Sequence, residues 1–284
     1  MNLKSSPFKF IAYLLMLVSI LYFPSCDIIN PKEDVPAFLY IDTFHLVTDL
    51  GEGSNSHNIT EAWIYVDNRL INVVELPALV PVLAEGQREL LISPGIKENG
   101  ISTIRTVYPF YESYTTNFSF SAATVDTIIP SIGYRDSLKF PFLEGFESGN
   151  NFTGMETTSD PSLVFEGTRS GKIELDASKI SATAISSLLN LPGASRELFL
   201  EMDYRNSLKF DVFVRSVKFN PSNITDHYLV TISPKDAWSK IYLNLTPIVS
   251  GNPADSYTIL FRTEKPDSVN KASYYWDNIK IVHF

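Results

Sequence analysis

Short runs of alternating apolar and polar residues fill the chain from residue 38 onward, and no long helical period interrupts them. Runs rich in β-branched and aromatic residues with turn residues between them are typical of strands. In the first part of the chain such runs cover residues 38–45, 62–66, 70–74, 89–92, 103–108 and 115–120. Turns are predicted at Asp67 to Arg69, Glu85-Gly86, Pro94-Gly95 and Asn99-Gly100. Short strands at this spacing predict a β-sandwich.

A second series of strands follows a stretch that loses the alternation. Between Thr127 and Pro141 the pattern is interrupted by Pro130 and Gly133, which places a domain boundary near residue 138. Beyond it, period-2 strands are predicted at residues 198–204, 209–214, 228–232, 240–245 and 257–261. The chain is therefore predicted to be all-β, with two sandwich domains in series over residues 38–138 and 139–284.

Three segments of the second domain carry a more specific pattern. Phe-Leu-Glu-Gly-Phe-Glu (142–147) opens the domain, Gly-Thr-Arg-Ser-Gly-Lys-Ile-Glu-Leu (167–175) follows, and Tyr-Tyr-Trp-Asp-Asn-Ile-Lys-Ile (274–281) closes it. Together these segments resemble the galactose-binding-like jelly rolls, which include many carbohydrate-binding modules. The first domain resembles immunoglobulin-like or transthyretin-like sandwiches.

A 14-residue apolar run, Phe10 to Phe23, lies near the start of the chain behind Lys4 and Lys9. It is shorter than the roughly 20 residues that span a bilayer as a helix, and its layout is typical of an export signal. The segment resembles a bacterial lipoprotein signal with its lipobox. That resemblance implies cleavage after residue 25 and lipidation of Cys26, the only cysteine. The alternatives are a secretory signal with an incidental cysteine and an uncleaved membrane helix.

Residues 26–37 contain two prolines and no periodicity, which indicates a tether between the lipid and the first domain. Glu33 and Asp34 resemble the acidic signal that sends some lipoproteins to the outer face of the outer membrane, and a solvated linker is the alternative. With the lipobox and both domain patterns, the whole chain resembles a family of bacterial outer-membrane lipoproteins to which no activity is attached. Which membrane face the protein occupies is left open.

The balance of charge argues against two classes of partner. The sequence has 23 basic and 32 acidic residues, a net charge of −9, and removing the signal with Lys4 and Lys9 makes it −11. Nucleic acids bind dense basic surfaces, and anionic headgroups attract polybasic segments. We therefore expect no nucleic-acid partner and no electrostatic grip on lipid.

No motif indicates a catalytic centre, and we expect the protein not to be an enzyme. Gly167 to Ile173 contains Gly-Lys but lacks the spacing and the Ser or Thr of a P-loop. The histidines have no paired metal-ligand spacing: they are His45, His57, His227 and His283. Because the carboxylate pair of a glycoside hydrolase is defined by separation in space, an envelope hydrolase stays a third hypothesis.

The jelly-roll resemblance implies two ligand hypotheses. One is a structural Ca²⁺ held by Glu147 and Asp277, and the alternative is that both are ordinary turn residues, since Ca²⁺ takes six to eight oxygen ligands. The other is a glycan platform of exposed rings, for which Tyr275 is weighed together with Trp238, Tyr274 and Trp276, the three residues assigned to it. Its alternative is core packing, the commoner role of an aromatic residue in an alternating strand. No further cofactor is expected.

Three short segments resemble an O-glycosylation signal of some envelope proteins. They are Asp-Thr-Ile, Asp-Ser-Leu and Asp-Ser-Val, with Thr127, Ser137 and Ser268 as the acceptors. Chance matches are the alternative explanation.

These features predict a non-catalytic, lipid-anchored protein of the outer membrane. The leading hypothesis is a binding or scaffolding subunit that docks on an integral outer-membrane protein complex. The second hypothesis is a surface lipoprotein that binds a glycan.

Overall fold

Ten strands form the first domain, and three of the predicted turns, at Asp67 to Arg69, Glu85-Gly86 and Asn99-Gly100, lie at or beside strand ends. The computed structural model describes Ile11, residues 33–193 and residues 197–284. The strands of the first domain are β1 (Ala37–Ile41), β2 (His45–Leu46), β3 (Glu61–Val66), β4 (Arg69–Glu75), β5 (Ala78–Val82), β6 (Gly86–Lys97), β7 (Arg105–Val107), β8 (Tyr114–Phe120), β9 (Val125–Ile128) and β10 (Ser131–Ile132).

Two layers of strands enclose the core of the first domain. One layer has the order β4-β3-β6-β7, with β8 also paired to β6. The other contains β5-β1-β9 and the pair β10-β2, in which β1 and β2 run parallel to β9 and β10. Asp67 and Asn68 turn β3 into β4 with φ of 47° and 62°, as a two-residue hairpin requires.

The turn predicted at Pro94-Gly95 is wrong. Both residues lie inside β6, where they pair with Ala62 and Glu61 of β3. A Cβ on Gly95 would lie 2.8 Å from the Cβ of Glu61. The glycine therefore permits a close approach of two strands and does not end one.

The second domain contains eleven strands and one short helix among the described residues. They are β11 (Lys139–Glu144), β12 (Phe152–Thr153), β13 (Glu156–Thr158), β14 (Ser170–Leu175), β15 (Ser181–Ser186), β16 (Leu198–Asn206), β17 (Phe210–Phe219), β18 (Ser222–Ile232), β19 (Lys235–Asn244), α1 (Thr246–Gly251), β20 (Ser256–Glu264) and β21 (Ala272–His283).

Two sheets form the jelly roll of the second domain. The front sheet has the order β13-β14-β21-β16-β19, with β11 paired to β21, and the back sheet has the order β12-β15-β20-β17-β18. Alternate residues of both sheets, such as Met202, Val212 and Trp276, fill the core between them. The predicted all-β class with two sandwich domains is confirmed.

The first domain packs on part of the outer face of the front sheet. Phe199, Tyr242 and Val282 of that sheet belong to the first domain's hydrophobic core. The ring of Tyr108 lies 5.4 Å from Phe199 and 4.7 Å from Tyr242, measured between centroids. We call this region the covered half of the front sheet; the rest of the same face is its open half.

Within the described residues, no helix is long and apolar enough to cross a membrane. Cys26 lies outside the described residues, as does the predicted signal apart from Ile11.

Candidate functional site

The covered half centres on a buried acid, Glu201 of β16. Its carboxylate accepts hydrogen bonds from the hydroxyls of Tyr108 at 2.7 Å and Tyr134 at 2.9 Å. The ammonium of Lys240 on β19 lies 3.2 Å from the same carboxylate as an ion pair. Strand β21 lies on the other side of β16 from β19. From this strand, Lys280 donates to Tyr134 at 3.2 Å and to two carbonyl oxygens of the first domain. Charged and hydroxyl groups therefore join the two domains.

Burial and pairing act in opposite directions on this network. Burial alone would raise the pKa of Glu201, but the charges of Lys240 and Lys280 and the tyrosine hydroxyls outweigh it, and its pKa is lowered. Burial lowers the pKa of Lys280 to about 8, against the opposing charge of Glu201. Glu201 is 0% and Lys280 1% exposed, so these two members of the network have a structural role and are out of reach of a ligand.

Three further carboxylates meet at Asn278, on the border between the two halves. The side-chain amide of Asn278 donates to Glu166 at 2.9 Å and to Asp203 at 3.1 Å, and its backbone N–H donates to Asp277. Burial raises the pKa of Asp277 to about 6, although Ser170 donates to it at 2.6 Å. Asp203 and Asp277 are each 1% exposed. These three acids therefore do not form the open carboxylate pair that glycoside hydrolysis requires.

An aromatic cluster occupies the open half of the front sheet. The ring of Trp238, on β19, lies 5.2 Å from Phe165 and 6.4 Å from Tyr275 between centroids. Arg205 lies on β16, between β19 and the strand of Tyr275, β21. Its guanidinium carbon lies 5.8 Å from the ring centroid of Tyr275. Phe165 is 38% exposed, and Trp238 is partly exposed. We call these four residues and the surface around them the aromatic cleft.

Strand alternation explains why these side chains share a face. Successive side chains point to opposite sides of a strand, so Trp238 shares a side with Lys240 and Tyr242 of β19. On β16, Arg205 shares its side with Glu201 in the same way. One set of strands thus supplies both the buried junction and the open cleft.

Two grooves flank the aromatic cleft. One, of about 420 Å³, lies between Phe165 and the first-domain segment 54–57. The other, of about 260 Å³, is lined by Arg205, Asn206 and Lys235 among others. Asn206 is 2% exposed, and its Oδ1 has no hydrogen-bond partner. The cleft therefore combines ring surfaces with polar residues on its flanks.

The outer face of the back sheet differs because its polar groups pair with one another. Arg215 donates to Asp226 at 2.6 Å and 3.1 Å, and Arg262 binds the same carboxylate. Arg262 also lies 4.1 Å from the ring centroid of Phe213, whose ring contacts that of Tyr228. Both arginines are thus already paired with Asp226. Tyr228, next to Phe213, is 57% exposed.

The structure separates the three residues predicted as a glycan platform. Tyr274 and Trp276 point into the core from β21 and are 0% exposed, and Trp276 stacks on Phe261 at 5.2 Å. A platform made of Tyr274 and Trp276 is therefore wrong. Trp238 lies in the aromatic cleft, next to Tyr275.

The two residues predicted to share Ca²⁺ both hold the loop before β14. Glu147 accepts hydrogen bonds from the N–H groups of Thr168 at 2.7 Å and Arg169 at 2.9 Å. Asp277 accepts from the hydroxyl of Ser170, which directly follows Arg169 at the start of β14. Among the described residues, no three His, Cys, Asp or Glu side chains group together as a metal site. The calcium site stays a prediction, and hydrogen-bond donors already occupy both carboxylates.

The predicted modification sites also stay predictions. Thr127, Ser137 and Ser268 are exposed, which is compatible with O-glycosylation. Cys26 lies outside the described residues, so its lipidation is not addressed by the fold.

Sequence reasoning missed two members of the cleft, Phe165 and Arg205. Phe165 lies in a loop between β13 and β14, where no alternation assigns a side chain to a face. An aromatic residue among Pro161, Ser162 and Gly167 was the available signal. The outward direction of Arg205 follows from the alternation of β16, once that strand is extended by two residues beyond its predicted end.

No family model matches the chain, and none of the curated proteins matches it. Among solved structures, it is similar to the CBM22-1–GH10 modules of Clostridium thermocellum endo-1,4-beta-D-xylanase 10B in complex with xylohexaose. The identity is 12% and the TM-score 0.39, over 51% of this chain and 28% of that chain.

Two isolated carbohydrate-binding modules are also similar to the chain. One is the C-terminal family 22 module of the same Clostridium thermocellum enzyme, with 14% identity, a TM-score of 0.37, and coverage of 52% of this chain and 96% of the module. The other is a mutant family 29 module, with 17% identity, a TM-score of 0.32, and coverage of 52% and 92%. Sequence identities and TM-scores this low transfer no ligand or activity to this chain.

Proposed function

We propose that the protein binds a glycan and that the aromatic cleft is the binding site. The observation that supports this is the cluster of Phe165, Trp238 and Tyr275 on the open half of the front sheet. A sugar ring has an apolar face of C–H groups and an edge of hydroxyls. Aromatic rings cover the apolar C–H face of the sugar, and a few well-placed polar groups bind its hydroxyls. Arg205 is placed to do so.

The first domain contributes one wall of this site. Its segment 54–57 faces Phe165 across a groove, and Lys280 ties that segment to the front sheet through the carbonyl of Ser54 at 3.0 Å. A wall that is fixed before the ligand arrives lowers the ordering cost of binding. The two domains therefore act as one binding unit.

Glycan arrays and titration calorimetry on the full-length protein test this proposal. Trp238→Ala should weaken binding at least tenfold, about 1.4 kcal/mol, because the central ring of the cleft is lost. Tyr228→Ala removes an exposed aromatic ring from the back sheet and is the matched control. Absence of binding to every glycan, or loss of binding in the control alone, would contradict the proposal.

The same proposal includes a non-catalytic role and a lipid anchor at Cys26 in the bacterial outer membrane. Acyl chains contribute about 0.8 kcal/mol per buried CH₂, so several chains hold a protein stably. Cys26→Ala should therefore leave an unprocessed or soluble protein. Metabolic labelling with a fatty-acid analogue measures this directly, and equal labelling of wild type and variant would refute lipidation.

A docking subunit of an outer-membrane protein complex is the second candidate function. It is favoured by apolar side chains on the β17–β18 hairpin, where Phe219 and Ile224 are each 60% exposed. Exposed apolar patches are typical of protein contacts. Crosslinked pull-down from native membranes should then recover an integral partner with the wild type, and Phe219→Asp should lose it while glycan binding persists.

A further inference from the structure

A cavity of about 230 Å³ lies where the first domain meets the edge strand β19. Three lysines line it: Lys97 from the first domain, and Lys235 and Lys240 from β19. The other polar residues that line it are neutral, and within the described residues no carboxylate does. This is unexpected in a chain with a net charge of −9.

The acids that pair with two of these lysines lie outside the cavity, and the third lysine has no ion pair in the described ranges. Lys97 pairs with Glu75 at 2.8 Å and Lys240 with Glu201 at 3.2 Å, but neither acid lines the cavity. Lys235 is exposed and takes part in none of the ion pairs of the described residues.

The buried ammonium of Lys240 has unused hydrogen-bonding capacity. Lys240 is 4% exposed, and although its Nζ lies close to Glu201, it makes no hydrogen bond within the described structure. A lysine ammonium has three donors, and a buried one without hydrogen bonds is costly. Its Nζ is buried and already has the charge of Glu201 beside it, so an oxyanion in the cavity would bind the exposed Lys235 directly and interact with Lys240 through its charge.

The walls of the cavity are held in place by hydrogen bonds between the domains. Asn58 donates through its side chain to the carbonyl of Lys240 at 2.8 Å, and its backbone N–H donates to the hydroxyl of Tyr242 at 3.0 Å. Thr60 and Ser239 add hydroxyls to the lining. The cavity therefore has fixed polar walls in addition to its charge.

The cavity lies beside the aromatic cleft. Lys235 lines both the cavity and the groove beside Arg205. Trp238 and Lys240 are two residues apart on β19, so their positions on the outer face are about 7 Å apart. A ligand lying on Trp238 thus has a cation-lined cavity within reach of one sugar substituent.

We propose that this junction cavity binds an oxyanion, and that the glycan bound in the aromatic cleft is acidic and carries that group as a carboxylate, sulfate or phosphate. The second part rests on the proposed function above. The first part does not, because a free anion would use the same cavity.

Inorganic sulfate and phosphate are the probes for the cavity itself. Added to the full-length protein at low ionic strength, either ion should give saturable shifts of the amide resonances of Ser239 and Lys240. Lys235→Glu should weaken this binding at least tenfold. Lys218→Glu makes the same charge change at an exposed position of the back sheet and should leave it unchanged. Shifts that never saturate, or that are equal in wild type and Lys235→Glu, overturn the cavity as an anion site.

Oligogalacturonate and its methyl ester test the link to the cleft, because esterification removes the charge and keeps the chain. The acid should bind at least tenfold more tightly than the ester, and Lys235→Glu should abolish the difference while Lys218→Glu keeps it. Equal binding of acid and ester overturns the acidic ligand and leaves glycan binding standing. Saturable ion binding without binding of any glycan on an array supports the anion site and refutes the proposed function.

Discussion

The two halves of the front sheet's outer face are built from the same three strands and differ in their exposure to solvent. In the covered half, β16, β19 and β21 contribute Glu201, Lys240 and Lys280, all at most 4% exposed. In the open half the same strands contribute Arg205, Trp238 and Tyr275, grouped around one exposed cleft. Three charged side chains are therefore buried in the covered half, whereas Trp238 and Arg205 of the open half are partly exposed and Tyr275 is 7% exposed. Buried charges beside a partly exposed tryptophan are the reverse of the usual distribution.

The neighbours of each half explain this difference in burial. The first domain brings the hydroxyls of Tyr108 and Tyr134 to Glu201, which satisfies the buried carboxylate. Within the part of the chain that the structure describes, no comparable partner covers Trp238, whose ring neighbours are Phe165 and Tyr275 in the same domain. A charged side chain on a strand thus does not indicate a solvent-facing surface when a second domain supplies its partners.

The largest expected effect comes from breaking the covered half. Glu201→Gln keeps the shape of the side chain and removes the charge, leaving Lys240 and Lys280 buried without a counter-ion. We expect a loss of about 3–5 kcal/mol in the free energy of unfolding, measured by urea denaturation. Glu174→Gln is the matched control on β14, where a partly exposed acid pairs with Lys172, and should cost at most about 1 kcal/mol. Equal losses in both variants would show that the network does not hold the domains.

Two tryptophans on opposite sides of the front sheet sharpen the comparison. Trp276 is 0% exposed in the core, and Trp276→Ala should cost about 3–5 kcal/mol of stability because it leaves a large cavity. Trp238→Ala should change stability by less than about 1 kcal/mol and reduce glycan binding instead. Thermal and urea unfolding of both variants checks this. A large destabilisation by Trp238→Ala would mean that its ring belongs to the core.

The closing strand shows how far sequence could predict this site. Alternation predicts strand β21 correctly, but it assigns Tyr275, Asp277, Ile279 and Ile281 to one face. An extra residue at Asn278, with φ of 48°, moves Ile279 and Ile281 to the side of Trp276. Sequence does not show a bulge of this kind, and so the burial of Tyr274 and Trp276 and the position of Tyr275 followed only from the fold.

Other parts of the fold depended on contacts between distant segments. The hairpin β3–β4 and parts of the long strands of the second domain, such as residues 228–232 of β18, were predicted because their alternation and turns are local. β12 has two residues and β13 has three, too few for any periodicity. The covered half was also not predictable, because Glu201 meets Tyr108 across 93 residues of sequence.

At the border between the halves, Asp277 should give a pH dependence of stability. Its pKa is raised to about 6 in the folded protein from an ordinary value of 3.8, because it is buried. Between these values the folded protein binds a proton that the unfolded chain releases, so stability should rise as the pH falls from about 7 to about 4.5. Asp277→Asn should lack this contribution. If the difference in unfolding free energy between wild type and variant is flat over this range, Asp277 is not protonated there.

The smallest expected effect comes from cutting the chain between the domains. Asp136 and Ser137 are exposed between the last strand of the first domain and β11, so a protease site placed there should be cut readily. The two fragments should nevertheless co-elute in size-exclusion chromatography with a nearly unchanged melting temperature, because Phe199, Tyr242 and Val282 remain in a shared core. Adding Glu201→Gln to the cut protein should separate the fragments, whereas adding Glu174→Gln should not. Immediate separation of the cut wild-type protein would instead show that the covered half is a weak contact, and that the first domain is not a fixed wall of the aromatic cleft.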